Sequence, residues 1–341
     1  MILILSDRKD DTVDLVLPKL RRRGTPVTWW DPGDYPSRGT LTATFTGDGH
    51  RFTLDTGTER LDLSTVRAVW RRRPKAPTPA DGVTNPSHRR HVVWQAEFLL
   101  DGAWELAPAR WLPARRDTER RAHNKIIHLA HAAALGFSVP ETVFTNDPAE
   151  LVPAYERASG RLIAKQINSD EFDIDGVDHR TYTTVLTRRH LTARHRLRHE
   201  PVILQPYVPK AVELRVVVVG ERVFAAAIDS QASRTARDDW RHYDDDRVLY
   251  SAHRLPGDLE RGCVELVSGL GLNYGAIDLI LTPEGEYVFL EINPNGAWGF
   301  LEQRAGLPIS DAITDWLVAA DTRTDFLPTT ETRGFFAGGI R

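Results

Sequence analysis

The chain has 341 residues, about two-fifths of them apolar, which suits two or three packed units with real cores. Its formal net charge of −3 argues against a general nucleic-acid binder, because neutralising phosphates needs a basic surface. Cys263 is the single cysteine, which excludes a disulfide framework and a Cys/His zinc site, and the start Met-Ile-Leu-Ile-Leu-Ser-Asp has no basic n-region and an apolar run too short for a signal peptide or membrane span; the expectation is a soluble cytoplasmic protein without a membrane partner.

In chain order, residues 2–5 read as a buried strand, 12–23 as a helix closed by Gly24, and 27–30 as a second strand, a parallel α/β beginning. The Gly- and Thr-rich stretch 35–61 predicts an inserted hairpin around Phe45 and Phe52, and 66–70 a further strand running into Arg71-Arg72-Arg73-Pro74. Residues 75–87 read as loop and 88–100 as helix, with the first unit ending near Pro113. Beyond it, 117–135 is predicted helical and closed by Gly136, with strands at 140–145, 161–166 and 182–186 and a helix at 191–198. The last unit is rich in strands, at 202–207, 213–219, 223–228, 276–281 and 287–292, accompanied by helices at 258–270 and 309–320; from residue 321 the tail reads as loosely ordered.

The most specific pattern is Ala276-Ile-Asp278-Leu-Ile-Leu, a turn at Thr282-Pro-Glu-Gly285, then Tyr-Val-Phe-Leu-Glu291-Ile-Asn293-Pro-Asn295. Two strands flank the turn, so Asp278 faces Glu291 or Asn293, and those two share a face by the alternation of side chains in a strand. Carboxylates in apolar strands are costly unless something positive meets them, and hard oxygen donors gathered this way suit Mg²⁺ carrying phosphate oxygens. Ordinary acidic residues on a surface hairpin are the plainer alternative, but the apolar residues 288–290 and 292 leave few positions for them. Other chemistries find no support: GxxxxGK[ST], HExxH and GxSxG are absent. Ser230 has no base in view, and Arg71 to Arg73 read either as an anion clamp or as a charged loop edge.

Asp, a β-turn, then Glu-Ile-Asn-Pro resembles the metal-binding signature of ATP-grasp enzymes. The resemblance implies an α/β (α+β) ATP-grasp fold: a Rossmann-like pre-ATP-grasp domain at 1–115, a central α+β subdomain at 116–204, and a C-terminal antiparallel-sheet subdomain at 205–330. By it, Asp278, Glu291 and Asn293 hold magnesium and Lys125 and Lys165 hold the ATP phosphates. Gln205, Tyr207 and Val208 form the adenine hinge, and Glu213 takes the ribose. Taken alone, Lys125 is a solvated helix residue; Lys165, in a strand of apolar character, calls for an anionic partner. Glu213 and Arg215 share a strand face and either pair with each other or leave Arg215 to the phosphates. The second is preferred because γ-phosphate and carboxylate repel by ~4 kcal/mol at 4 Å and an effective dielectric of 20, roughly a thousandfold in rate.

Local runs narrow the resemblance. Trp70-Arg-Arg-Arg-Pro, Gln205-Pro-Tyr-Val-Pro-Lys-Ala-Val-Glu-Leu-Arg-Val, Ala227-Ile-Asp-Ser-Gln, Asp239-Trp-Arg-His-Tyr and Gly271-Leu-Asn-Tyr-Gly-Ala-Ile-Asp-Leu are similar to the microviridin-type macrocyclases that make graspetides. What this implies is an ADP-forming ligase joining Asp or Glu side chains of a ribosomal precursor peptide to Thr, Ser or Lys side chains, as a homodimer. Arg215 would offset developing charge and Arg241 would meet the substrate carboxylate. The leader would dock around 178–198, where Arg188, Arg189, Arg194, Arg196 and Arg198 read equally as a site for an acidic peptide and as a solvated face. One departure is Ala297-Trp298, where the family often has Gln after Asn-Pro-x-Gly. The rivals are an ATP-grasp ligase for small molecules, joining an amino acid or a dipeptide to an amine, and a silent nucleotide-binding regulator; the metal triad with both lysines argues against silence.

Overall fold

The computed structural model describes residues 1–168, 182–232 and 248–322, with the backbone of two short strands between the first two stretches. The chain falls into two compact units. Of the described residues, the first comprises 1–119, 272–274 and 308–322; the second comprises those within 120–271 and 275–307.

The first unit begins with β1 (Ile2–Leu5), entirely buried, and α1 (Asp11–Arg22). Asp10 caps α1 by accepting from the Thr12 N–H, and Val13, Val16, Leu17 and Leu20 form its inward stripe. Then follow β2 (Val27–Trp30), the three-stranded antiparallel sheet β3 (Thr40–Thr46), β4 (Gly49–Asp55) and β5 (Arg60–Asp62), and β6 (Ala68–Arg71). Helix α2 (Pro86–Leu106) and β7 (Arg110–Leu112) complete the early part. Strands β1, β2, β6 and β7 form a parallel sheet in the order β2-β1-β6-β7. A shared core of Leu5, Trp30, Phe52, Leu54 and Val69 joins that sheet to the antiparallel one, with Ala96, Leu100 and Ala103 of α2 packed in.

The second unit begins within α3 (Arg116–Ala122) and continues with α4 (Lys125–Ala134). The predicted helix 117–135 is thus two helices, because Asn124 turns out of helical geometry and caps α4 by accepting from the Ile126 N–H. Next come β8 (Val143–Thr145), α5 (Leu151–Arg157), β9 (Leu162–Gln166), the hairpin β10 (Phe172–Ile174) and β11 (Val177–His179), and β12 (Thr184–Val185). Where a helix was expected at 191–198, α6 (Arg188–Thr192) gives way to a 3₁₀ stretch, Arg194–His199; consecutive long basic side chains repel and favour no regular α-turn. Strand β13 (Val202–Pro206) closes an antiparallel sheet in the order β12-β9-β13-β8.

The larger sheet is made of β14 (Val212–Val219), β15 (Arg222–Ile228), β16 (Tyr250–His253), β17 (Tyr274–Leu281) and β18 (Tyr287–Asn293), ordered β16-β15-β14-β17-β18. Val216 to Val219 are at most 2% exposed, each contributing roughly 1.5–3 kcal/mol of burial. Helix α7 (Gly257–Gly269) packs on β14 and β15, α4 packs against β18, and α8 (Gly299–Ala305) follows the hairpin. The last helix, α9 (Ile309–Thr322), belongs to the first unit, where Lys19 of α1 meets Asp311 at 2.6 Å. Asp321 and Thr322, expected in the tail, end α9; the rest of the tail lies outside the described residues. Among the described residues no helix is long and apolar enough to cross a membrane.

Candidate active site

The candidate residues gather on the β17–β18 hairpin and the strands around it. Gly285, at φ +87°, makes the reversal a side chain would strain. From that turn Leu281 pairs with Tyr287, Ile280 with Val288 and Leu279 with Phe289; then the register slips, and Asp278 pairs with Glu291. Leu290 is the extra residue of this β-bulge. Without it Asp278 would oppose Leu290, and Glu291 would point to the other face. The bulge puts both carboxylates on one side of the sheet.

Each carboxylate is answered by a cation. Arg215, on β14 beside β17, places Nη1 at 2.9 and 3.0 Å from the two oxygens of Asp278, while Nη2 donates to the Ala297 carbonyl at 3.3 Å. This pair is nearly dry, with side chains 6% and 13% exposed. Lys125, the first residue of α4, sends Nζ to Glu291 Oε2 at 2.9 Å and to the Gln166 carbonyl of β9 at 3.3 Å. A cation at a helix N-terminus works against the helix dipole, so its partner on β18 is what holds it there. Glu213 has a third arrangement: its Oε1 accepts from Lys210 Nζ and from Ser230 Oγ, both at 2.8 Å. Glu213 and Arg215 therefore each engage a different partner.

Lys165 lies in β9 opposite Ile203, half-buried, one residue before the carbonyl that Lys125 reaches. Gln205 is buried in β13 and donates to Thr142 Oγ1 at 2.8 Å, so its side chain is committed. In the hinge that follows, Pro206 and Pro209 have no N–H, and the Tyr207 N–H donates to the Arg161 carbonyl at 2.7 Å. That leaves the Val208 amide as the backbone donor a flat heterocycle can meet. Asn293 is exposed, opposite Ala276, and its Oδ1 accepts from the Asn295 N–H at 2.9 Å. Arg241 lies outside the described residues, as does part of the 178–198 stretch.

The donor set fits one kind of metal. Among the described residues no three His, Cys, Asp or Glu side chains converge as a cage. Two carboxylates and a carboxamide do suit Mg²⁺, which keeps waters and shares its shell with phosphate oxygens. That Lys125 and Arg215 sit on those carboxylates shows how strongly the spot attracts positive charge.

Sequence reasoning gave no role to Lys210, Ser230, Gly296 or His128. Lys210 stands three residues before Glu213, a spacing that means little in a loop. Gly296 admits Arg215, because a Cβ there would overlap Nη2. His128, one turn after Lys125, is 2% exposed; its Nε2 faces the Ala122 carbonyl and its Nδ1 is a buried atom without a hydrogen bond. Burial pushes its pKa down to about 4. Within the first unit Arg71 pairs with Glu119 at 2.7 Å, and Arg72, 2% exposed, sends Nε to Thr12 Oγ1 at 3.1 Å, a buried position rather than a charged loop edge.

Comparison with known proteins adds three findings. A family model described as the MvdD pre-ATP grasp domain matches residues 1–118. Among solved structures, the macrocyclase MdnB of Microcystis aeruginosa MRC is 32% identical, with 93% of this chain and 98% of that chain covered and a TM-score of 0.77. Also similar are the macrocyclase MdnC from the same organism, solved with the precursor peptide MdnA (27%, 93% and 99%, 0.82), and a RiPP-associated ATP-grasp ligase of Chryseobacterium gregarium, solved with ADP and a leader and core peptide (29%, 93% and 96%, 0.86). A curated relative named "Probable alpha-L-glutamate ligase", from Mannheimia succiniciproducens, is 26% identical over 198 residues; the match spans 58% of this chain and 63% of the relative's length.

Proposed function

The chain belongs to the ATP-grasp family of ribosomal-peptide macrocyclases, and from that premise we propose that it closes rings in a precursor peptide. It activates Asp or Glu side chains with ATP and joins them to Thr or Ser hydroxyls as esters, or to Lys amines as amides. The observation that carries this reading is the Asp278–Glu291 pair, set in register by a bulge and neutralised from two sides by Arg215 and Lys125.

Asp278, Glu291 and Asn293 are the residues that would hold magnesium, and Lys125 and Lys165 those that grip the phosphates. Magnesium, when bound, screens the γ-phosphoryl oxygens against the incoming carboxylate. Gln205, Tyr207 and Val208 border the adenine, with the Val208 amide as donor; Glu213, fixed by Lys210 and Ser230, accepts from the ribose hydroxyls. The substrate carboxylate attacks the γ-phosphorus, ADP leaves, and the acyl-phosphate remains on the peptide. A hydroxyl or amine of the same peptide then attacks that carbonyl, losing its proton as phosphate departs. Arg215 would offset the charge that develops in the first step, and Arg241 would orient the substrate carboxylate.

The leader docks around 178–198. There Arg188, Arg189, Arg194, Arg196 and Arg198 lie exposed, a surface suited to an acidic segment. The enzyme acts in the cytoplasm as a homodimer. A free, deeply buried Cys263, whose thiol burial pushes up to about 12, is in keeping with a reducing compartment. The partial match to a glutamate ligase favours one second reading, a ligase for free amino acids or dipeptides.

The test is to incubate the purified chain with ATP, Mg²⁺ and a Thr- and Glu-rich precursor peptide, following peptide mass and released phosphate. Loss of one water's mass per ring, absent in Asp278→Asn, is the expected result. Phosphate release with free amino acids and no change in peptide mass would give the second reading its case.

A further inference from the structure

Strand β3 runs Thr40-Leu-Thr-Ala-Thr-Phe-Thr46 along one edge of the small antiparallel sheet in the first unit. The two-residue turn Gly47-Asp48 joins it to β4, which makes Thr46 and Gly49 a hydrogen-bonded pair. By the alternation of an antiparallel ladder, Thr40, Thr42 and Thr44 also bond to β4. Leu41, Ala43 and Phe45 then turn N–H and C=O outward, six backbone groups on a strand about 24 Å long. None of the six has a partner among the described residues.

An edge of that length invites another chain unless charge, proline, a bulge or a neighbour guards it. Two other edges show such guards. On the far side of the same sheet, β5 is three residues long and carries Arg60 and Asp62. At the edge of the larger sheet, the Phe289 N–H of β18 donates to the Ser138 carbonyl at 2.8 Å, and α4 packs alongside. In β3 there is no charge, no proline and no break in register. The face beside this edge is also built. Phe45, 66% exposed, stands 5.7 Å from the His50 ring and edge to face with Phe52 at 5.9 Å. Leu41, Phe52 and Leu54 root that face in the core, which holds the exposed ring in place.

These features select the occupant. Pairing along β3 takes a chain in extended form and reads its main chain. With no charge between Gly39 and Gly47, an acidic or basic run would find nothing to meet. The row Thr40, Thr42, Thr44 and Thr46 suits β-branched hydroxyl residues across from it, and the ring cluster suits an apolar residue near the tip. A guest held by its backbone keeps every second side chain off the core face. A substrate whose Thr and Glu side chains must react can thus be held while those groups stay available.

We infer that β3 is a docking edge for an extended, Thr-rich segment of the peptide substrate, held by strand addition. The inference rests on the reading of the chain as a peptide macrocyclase. What it adds is a tether, since fixing one part of a chain raises the effective concentration of the rest.

Hydrogen exchange on the full chain, with and without saturating Thr- and Glu-rich precursor peptide, tests it. The peptide is expected to slow exchange of the Leu41, Ala43 and Phe45 amides roughly tenfold or more, and to leave the Thr42 and Thr44 amides unchanged. Ala43→Pro removes an outward N–H and none that β4 uses; Phe45→Lys sets a charge at the edge. Each is expected to raise the KM for the peptide about tenfold with kcat unchanged. The same peptide with alternate N-methyl amides through its Thr-rich segment is expected to show a like rise with the wild type, and no further rise with Ala43→Pro. Unchanged exchange at the three amides, or an unchanged KM for the methylated peptide, would overturn the strand pairing. Protection that grows with protein concentration in the absence of peptide would give the edge to a second copy and overturn it as well. Protection without ring closure would keep the docking edge and end the macrocyclase reading, whereas ring closure without protection would do the reverse.

Discussion

A methyl group at position 296 would overlap Arg215 Nη2 and the Cβ of Ala276, so the glycine there is a cradle for a guanidinium rather than a flexible joint. Arg215 needs that space because its Nη1 spans both oxygens of Asp278 while Nη2 reaches Ala297. Gly296→Ala is expected to push the guanidinium out of line, with an overpacking cost of about 1–3 kcal/mol seen as a lower melting temperature. ATP-dependent turnover is expected to fall at least as far as in Arg215→Lys, since an ammonium cannot serve Asp278 and the Ala297 carbonyl together as the two nitrogens of the planar guanidinium do. If Gly296→Ala turned over peptide at the wild-type rate, the cradle would have no bearing on the reaction. The sequence makes some of this visible and some not. Asp278, Glu291 and Lys165 stand out because charge in an apolar strand demands a partner. Lys210 and Ser230 do not, because loop and strand-end positions around them carry no apolar contrast; their tie to Glu213 exists only once β14, β15 and the turn before β14 have folded together.

At the scale of elements, the β17–β18 hairpin was legible from its turn and its two apolar runs, but its register was not. A bulge leaves no local mark in Tyr-Val-Phe-Leu-Glu, and one slipped residue decides whether Glu291 joins Asp278 or faces away. Helix α4 shows a like division. Gly136 signals its end, and Asn124 its true start, yet the charge-rich run before Asn124 reads as continuous helix until the cap is seen. Within α4, His128 predicts a pH effect whose sign follows from linkage. Its folded pKa, about 4, lies below the ordinary 6.5, so the unfolded chain binds the extra proton in that window. Stability is therefore full above pH 6.5 and falls as pH drops toward 4, by on the order of 3 kcal/mol in all. Protonation would put an N–H on Nδ1, which has no acceptor nearby. Denaturant unfolding between pH 4 and 7 checks this: His128→Gln is expected to flatten the His-linked part of the slope, and an unchanged slope would assign it to other groups.

Across the molecule, the periodicity of the sequence reports elements, but not which unit collects them. Residues 272–274 return to the first unit because Asn273 donates to the Trp111 and Pro113 carbonyls, and 308–322 because α9 packs on α1 and β6; such long-range pairings leave no trace in neighbouring residues. Charge, by contrast, is organised in a way that reaches the thermodynamics of the whole second unit. Without ligands its candidate metal carboxylates are neutralised by the chain's own cations, Glu291 by Lys125 and Asp278 by Arg215. ATP alone would add negative charge beside carboxylates still holding those cations, and Mg²⁺ alone would have to displace them without offering the cations a new anion. Under the roles proposed for these residues, Mg²⁺ with ATP would exchange both sets at once: oxygens to the metal, ammonium and guanidinium to the phosphates. Thermal unfolding is therefore expected to show strong coupling. At a hundred times its Kd, MgATP should stabilise by about 2.7 kcal/mol, roughly 5–10 °C for a unit of this size, while ATP with chelator or Mg²⁺ alone gives a small fraction of that. In Asp278→Asn the difference between MgATP and chelated ATP is expected to vanish even if ATP still binds. Equal stabilisation of the wild type by chelated ATP would mean that Asp278 and Glu291 do not share a metal with the nucleotide, and the chemistry assigned to this hairpin would have to be given up.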